Sequence, residues 1–129
     1  MNEQNKNMPQ IMFVDNDHHV RDSLKVFFDN SEMRYLIFKS ASEGLNALKF
    51  QKIDIVISDY FLPDMDGLKF LKMVNQKDSK VKRILMATLA SNDLRQAIKK
   101  EEIEGFIEKP LTVGSLEKVI QEILPVCKG

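Results

Sequence analysis

Cysteine is nearly absent from this chain: the one thiol, Cys127, lies close to the C-terminal end. It can close no internal disulfide and build no cysteine-based metal site, so it reads as an incidental tail residue. Long hydrophobic runs are missing too, and none approaches the roughly 18 residues of a membrane span. The first ten residues, MNEQNKNMPQ, lack the apolar core of a signal peptide. Nineteen basic and nineteen acidic residues cancel, so no overall field favours nucleic acid or an anionic membrane. No internal repeat, low-complexity segment or linker divides the 129 residues. A hydrophobic content of 43% and a charged content of 29% then describe one ordinary globular domain. A cytoplasmic protein is expected, with a flexible tail over 1–9, one domain over 10–125 and a short tail over 126–129. Any output domain is expected outside this sequence.

What the chain does have is four hydrophobic runs, each ending beside a residue that can handle a phosphoryl group. Ile11-Met12-Phe13-Val14 stops at Asp15, and Ile53-Asp54-Ile55-Val56-Ile57-Ser58 stops at Asp59. Ile84-Leu85-Met86-Ala87 stops at Thr88, and Gly105-Phe106-Ile107-Glu108 leads into Lys109-Pro110. Short runs rich in β-branched residues read as strands buried on both faces of a parallel sheet. In open α/β sheets ligands bind outside the carboxyl ends of such strands. Two acids, a hydroxyl and a lysine would therefore converge from segments far apart in sequence.

Helical spacing fills the intervals. Val20, Leu24, Phe27 and Phe28 form one stripe, Leu45 and Leu48 mark a second helix with Ser42 as its cap, and Leu68, Leu71 and Val74 mark a third. Leu94, Ala97 and Ile98 mark a fourth. Leu116, Val119, Ile120, Ile123 and Leu124 mark a fifth, capped by Thr112. A strand over 33–38 completes five strands alternating with five helices, an α/β fold with helices on both faces of a parallel sheet.

Each candidate site residue has a plainer reading beside the chemical one. Asp59 at a strand tip can attack phosphorus, yet a lone strand-end Asp is as often a cap or a turn residue. Asp15-Asn16-Asp17 offers oxygen ligands to a hard cation such as Mg²⁺, while Asp17 can also cap the first helix. Asp64 and Asp66 shape the turn after Asp59 and cap the third helix. Lys109 supplies a compact cation and Thr88 a hydroxyl donor. His18 and His19 lack a third ligand and read as solvent-facing residues of the first helical turn.

Val-Asp-Asn-Asp at 14–17, Ser-Asp-Tyr-Phe-Leu-Pro-Asp-Met-Asp-Gly at 58–67, Thr88 and Phe-Ile-Glu-Lys-Pro at 106–110 together resemble the receiver domain of bacterial two-component response regulators. The resemblance implies a flavodoxin-like sheet of order 2-1-3-4-5. It implies that Asp59 accepts a phosphoryl group from a histidine kinase or histidine phosphotransfer protein, as a signalling domain rather than an enzyme. Asp15, Asn16, Asp59 and the main-chain carbonyl of Phe61 would hold Mg²⁺. Lys109 would bind the phosphoryl group, with a cis bond to Pro110. Thr88 and Phe106 would then switch a surface made of 94–101, Phe106 and 112–124, the fourth helix, fifth strand and fifth helix. That surface would meet a downstream effector, and it leaves room for a phosphorylation-dependent homodimer.

The chain departs from the family pattern in three ways. Asn16 stands where a second acid is usual, so cation affinity should fall. Leu89 replaces a small residue and narrows access to the phosphoryl site. Phe61 and Ala90, at positions that in the family influence attack by water, offer water no hydrogen bond, which favours slow hydrolysis. A phosphorylation-impaired pseudo-receiver acting as an interaction module is therefore one alternative. Another is a phosphatase of the haloacid-dehalogenase type, since Ile-Met-Phe-Val-Asp-Asn-Asp also resembles that family's first motif. Asp15 would then be the nucleophile and Asp17 the acid/base, but the further acidic pair is missing and the 59–67 segment goes unexplained. A flavodoxin-like binding module would want a Gly- or Ser/Thr-rich loop after the first strand, where acids would repel phosphate.

Overall fold

Five parallel strands form one sheet: β1 (Gln10–Val14), β2 (Arg34–Phe38), β3 (Ile55–Asp59), β4 (Lys82–Ala87) and β5 (Gly105–Glu108), in the spatial order β2-β1-β3-β4-β5. The coordinates are a computed structural model that describes residues 8–88 and 91–123. Helices α1 (His18–Asp29), α2 (Ala41–Ala47), α3 (Gly67–Lys77), α4 (Asn92–Lys100) and α5 (Val113–Ile123) alternate with the strands. The expected elements and strand order are all present. The expected tails fall largely outside the described residues, although Pro9 is buried and its carbonyl accepts from the Arg34 N–H at 3.3 Å.

Strand periodicity divides the core in two. On one face Ile11, Phe13, Ile55, Ile57, Ile84, Met86 and Ile107 pack with Leu24 and Phe28 of α1 and Leu116 and Ile120 of α5. On the other, Met12, Val14, Val56 and Leu85 pack with Phe70, Leu71 and Val74 of α3, and with the partly buried Leu94 and Ile98 of α4. A parallel sheet buried on both sides needs apolar residues at successive positions, which is why these strands read as unbroken runs.

Side-chain caps set the helix starts. Asp17 accepts from the His19 N–H at 2.9 Å, Asp66 from Lys69 at 2.7 Å, and Thr112 Oγ1 from Ser115 at 3.0 Å. Two expectations need correcting. Helix α2 is capped by Ser40, not Ser42: Ser40 has extended backbone and its hydroxyl accepts from the Glu43 N–H at 3.3 Å. Asp64 does not cap α3. Its carboxylate reaches α2 instead, accepting from the Ala41 N–H at 3.0 Å and the Ser42 N–H at 2.9 Å. Two of the N–H groups that a helix start leaves unpaired thus tie the loop after β3 to α2.

Burial raises the Asp64 pKa, but the N–H groups of Ser42 and Ala41 outweigh it and hold the carboxyl below its usual 3.8. A depressed carboxylate contributes stability above its unfolded pKa and loses it as pH falls through the folded one. Asp64→Ala should therefore destabilise by on the order of 1 kcal/mol at neutral pH, the usual worth of a cap in an exposed setting. The gap to wild type should begin to narrow below about pH 4 and close only once pH falls past the lower folded value. Denaturant melts at pH 7 and at about pH 2.5 check both halves.

Candidate phosphoryl site

Register and parity bring the chemistry together. Val14 pairs with Ser58, so Asp15 and Asp59 stand one step further along neighbouring strands. Asp15 continues the face of Phe13, Asp59 that of Ile57, Thr88 that of Met86, and Lys109 that of Ile107, all members of one core cluster. A side-chain period of two therefore places all four residues over the same side of the sheet, at its carboxyl edge. The Lys109 N–H bonds the Ala87 carbonyl at 2.8 Å, and the Tyr60 N–H bonds Met86 at 2.8 Å, extending the ladder past the strand ends.

The Lys109 ammonium lies 3.2 Å from Asp59 Oδ1 and 3.6 Å from Asp15 Oδ2. Asp15 is fully buried and Asp59 nearly so, at 7% exposed. The Asp15 main chain is held by its N–H to Phe38 at 3.1 Å and by Arg21 Nη1, which donates to its carbonyl at 2.9 Å. Its Oδ1 accepts from the Asp17 N–H at 2.8 Å, whereas Oδ2 is buried without a hydrogen bond. Burial pushes the Asp15 carboxyl above its usual value against the pull of the Asp17 amide, and the Asp59 charge adds to the rise that Lys109 opposes. Two carboxylates against one ammonium leave the pocket one negative charge in excess.

Around this triad the other expected residues fall at different distances from the chemistry. Thr88 is solvent-exposed just beyond β4, and Asn16 is exposed beside Asp15. Phe61 stands at the rim, 74% exposed, its ring edge-on to Tyr60. Phe106 is half-buried on the opposite face, against the cluster that holds Leu94 and Ile98. His18 and His19 are exposed in the first turn of α1. The bond from Lys109 to Pro110 is cis. Leu89 and Ala90 lie outside the described residues. Among the described residues no three acidic, histidine or cysteine side chains gather as a metal cluster, so the pocket offers two carboxylates and neighbouring carbonyl oxygens.

Two contributors escape a reading of the sequence. Gly67 lets α3 begin against the end of β3: its N–H donates to the Tyr60 carbonyl at 2.6 Å, and a side-chain carbon there would collide with the Asp59 carbonyl. Its place at the close of an Asp-rich turn was the available signal. Arg21 gave none, because its role depends on α1 packing across the end of β1.

A family model for the response regulator receiver domain matches residues 11–121. The chain belongs to that family. A two-component response regulator of Oryza sativa subsp. indica is 26% identical over 91% of this chain and 82% of its own length. The transcriptional regulatory protein FlgR of Helicobacter pylori is 32% identical over 78% of this chain but only 26% of its own. A CheY-like response regulator receiver domain protein of Methanospirillum hungatei superposes with a TM-score of 0.86 at 25% identity, covering 94% of this chain and 97% of that one. The share of a relative's length that this chain spans falls as low as 18%, for one from Arabidopsis thaliana. Membership of the receiver family sets aside the phosphatase and flavodoxin-module readings. It also fixes the chain as a signalling receiver domain rather than a member of a typical enzyme family.

Burying Asp15 beside a second carboxylate costs stability. Asp15→Asn should raise the stability of metal-free protein by on the order of 1 kcal/mol in urea melts. Equal or lower stability would mean that its ion pair with Lys109 outweighs the burial.

Proposed function

We propose that this receiver domain takes a phosphoryl group on Asp59 from a phosphohistidine of a histidine kinase or histidine phosphotransfer protein. The observation that carries the reading is the Lys109 ammonium held between Asp59 and the wholly buried Asp15. An Asp59 oxygen attacks phosphorus; the new O–P bond forms as the N–P bond breaks, and the imidazole leaves with the electron pair and a solvent proton. Lys109 offsets charge on the phosphoryl oxygens. Asp15 keeps that ammonium and the Asp59 carboxylate in fixed relation.

The residues suit a divalent cation. Mg²⁺ is commonly held by one or two carboxylates together with phosphate oxygens, and the unbonded Asp15 Oδ2 is a free acceptor beside Asp59 and Lys109. Asp15, Asp59, the Phe61 main-chain carbonyl and the Asn16 amide oxygen would hold it. When bound it would offset the charge that accumulates as a group of about −2 enters an already negative pocket.

The modified Asp59 presents three new acceptor oxygens. Thr88 donates to one, and Phe106 repacks beneath α4, changing the α4-β5-α5 surface offered to an effector. A cytoplasmic location accords with this role, and no helix among the described residues is long and apolar enough to cross a membrane.

Intact-mass analysis with acetyl phosphate and Mg²⁺ tests the assignment. One phosphoryl addition is expected in wild type and none in Asp59→Asn; an unchanged addition in the variant rejects it. Calorimetric titration tests the metal site. Asn16→Asp should tighten Mg²⁺ by on the order of 1–3 kcal/mol, from one added charge at intermediate dielectric. An unchanged affinity would place residue 16 outside the ligand set.

A further inference from the structure

Arg83 is the one buried cation among the described residues, 3% exposed, and the phosphoryl chemistry makes no use of it. It is the second residue of β4, on the face that packs α3 and α4. Its Nη1 donates to the Leu71 carbonyl of α3 at 3.3 Å. Its Nη2 donates to the carbonyls of Glu101 at 2.9 Å and Glu102 at 3.2 Å. Glu104 supplies the counter-charge: Oε1 accepts the Arg83 main-chain N–H at 2.8 Å and lies 3.4 Å from Nε, a contact that is ionic rather than a hydrogen bond.

Glu101 caps the C-terminal end of α4, and Glu102 follows it at φ 56, the left-handed region that glycine usually fills. The Glu102 N–H bonds Lys99 at 3.0 Å and the Ile103 N–H bonds Ile98 at 3.1 Å, the two-bond stop of a Schellman motif. A side chain at that φ carries a steric cost, so the turn has to be held from outside. Arg83 does so, with its charge at the negative end of the helix.

The rest of α4 packs less deeply than its neighbours. It has no buried residue, whereas each of the other four helices has at least two. Lys72 adds a weak, exposed ion pair to Glu101 at 3.8 Å, again at the C-terminal end. The opposite end, capped by Ser91, follows closely on Thr88.

We infer that Arg83 is the pivot of the output face. It fixes the C-terminal end of α4 to β4 and α3, so a rearrangement driven from the phosphoryl site swings the N-terminal turn of the helix about that end. The direction of motion rests on the phosphoacceptor reading of Asp59; the anchor itself does not.

Amide NMR on the full chain tests both parts. Beryllium fluoride with Mg²⁺, a mimic of the acyl phosphate, should shift resonances of residues 92–95 and leave those of 100–103 in place. Equal shifts at both ends overturn the pivot. No shift around Asp59 would sink the phosphoacceptor reading and the pivot with it, leaving the anchor to hydrogen exchange. There, Arg83→Met should speed exchange at residues 101–103 about tenfold or more, with the amides of 84–86 unchanged. Unchanged exchange at 101–103, or an equal rise across β4, overturns the anchor. Arg83→Lys should fall between, because a single ammonium nitrogen cannot stand at the places of both Nη1 and Nη2. If Arg83→Met does not fold, Glu104→Gln gives the decision: it keeps an acceptor but removes the charge. It should accelerate the same three amides, and an unchanged rate there overturns the anchor.

Discussion

Two carboxylates face each other at the carboxyl edge of this sheet, one fully buried, and the Lys109 ammonium lies between them. Left alone they would repel in a partly dry pocket, and one would be driven to take up a proton. Lys109 relieves that repulsion only in part, and under the proposed phosphoacceptor reading the residual negative charge is what would draw a cation to the pocket. The same excess charge is expected to depress stability, a trade common at functional sites. Everything else in the fold holds three charged groups from three strands within a few ångströms.

The sheet achieves this through register and a period of two. Because Ile11, Phe13, Ile57, Met86 and Ile107 all face α1 and α5, the residues that continue those rows past the strand ends share that side. Gly67 lets the start of α3 close against Asp59, and Asp64 fastens the same loop to α2. On the other side of the sheet Phe106 lies among residues that α4 covers, so a change at the carboxyl edge has a mechanical route to the helix that Arg83 holds at its far end.

Much of this was legible in the sequence, because parallel strands buried on both faces leave continuous apolar runs and the functional residues sit at their ends. Asp15, Asp59, Thr88 and Lys109 could be named before any coordinates. What could not be read were contacts that depend on how elements pack. Ser42 resembles Ser40 as a cap, and only backbone geometry separates them. Asp64 looks local to α3, yet its partners lie more than twenty residues away in α2. Arg83 stands just before the apolar run of β4 and carries no signal there; its three carbonyl partners come from two other segments. That Asn16 brings no charge is legible in the sequence, but its exposure is a property of the folded loop.

Borohydride reduction of the phosphorylated wild-type protein, followed by peptide mass spectrometry, identifies the phosphoryl-bearing residue. The reagent converts an aspartyl phosphate to homoserine and so marks the modified residue without any mutation. Homoserine is expected at position 59 alone. Homoserine at position 15, or phosphoryl incorporation that leaves no homoserine at 59, would contradict the Asp59 assignment.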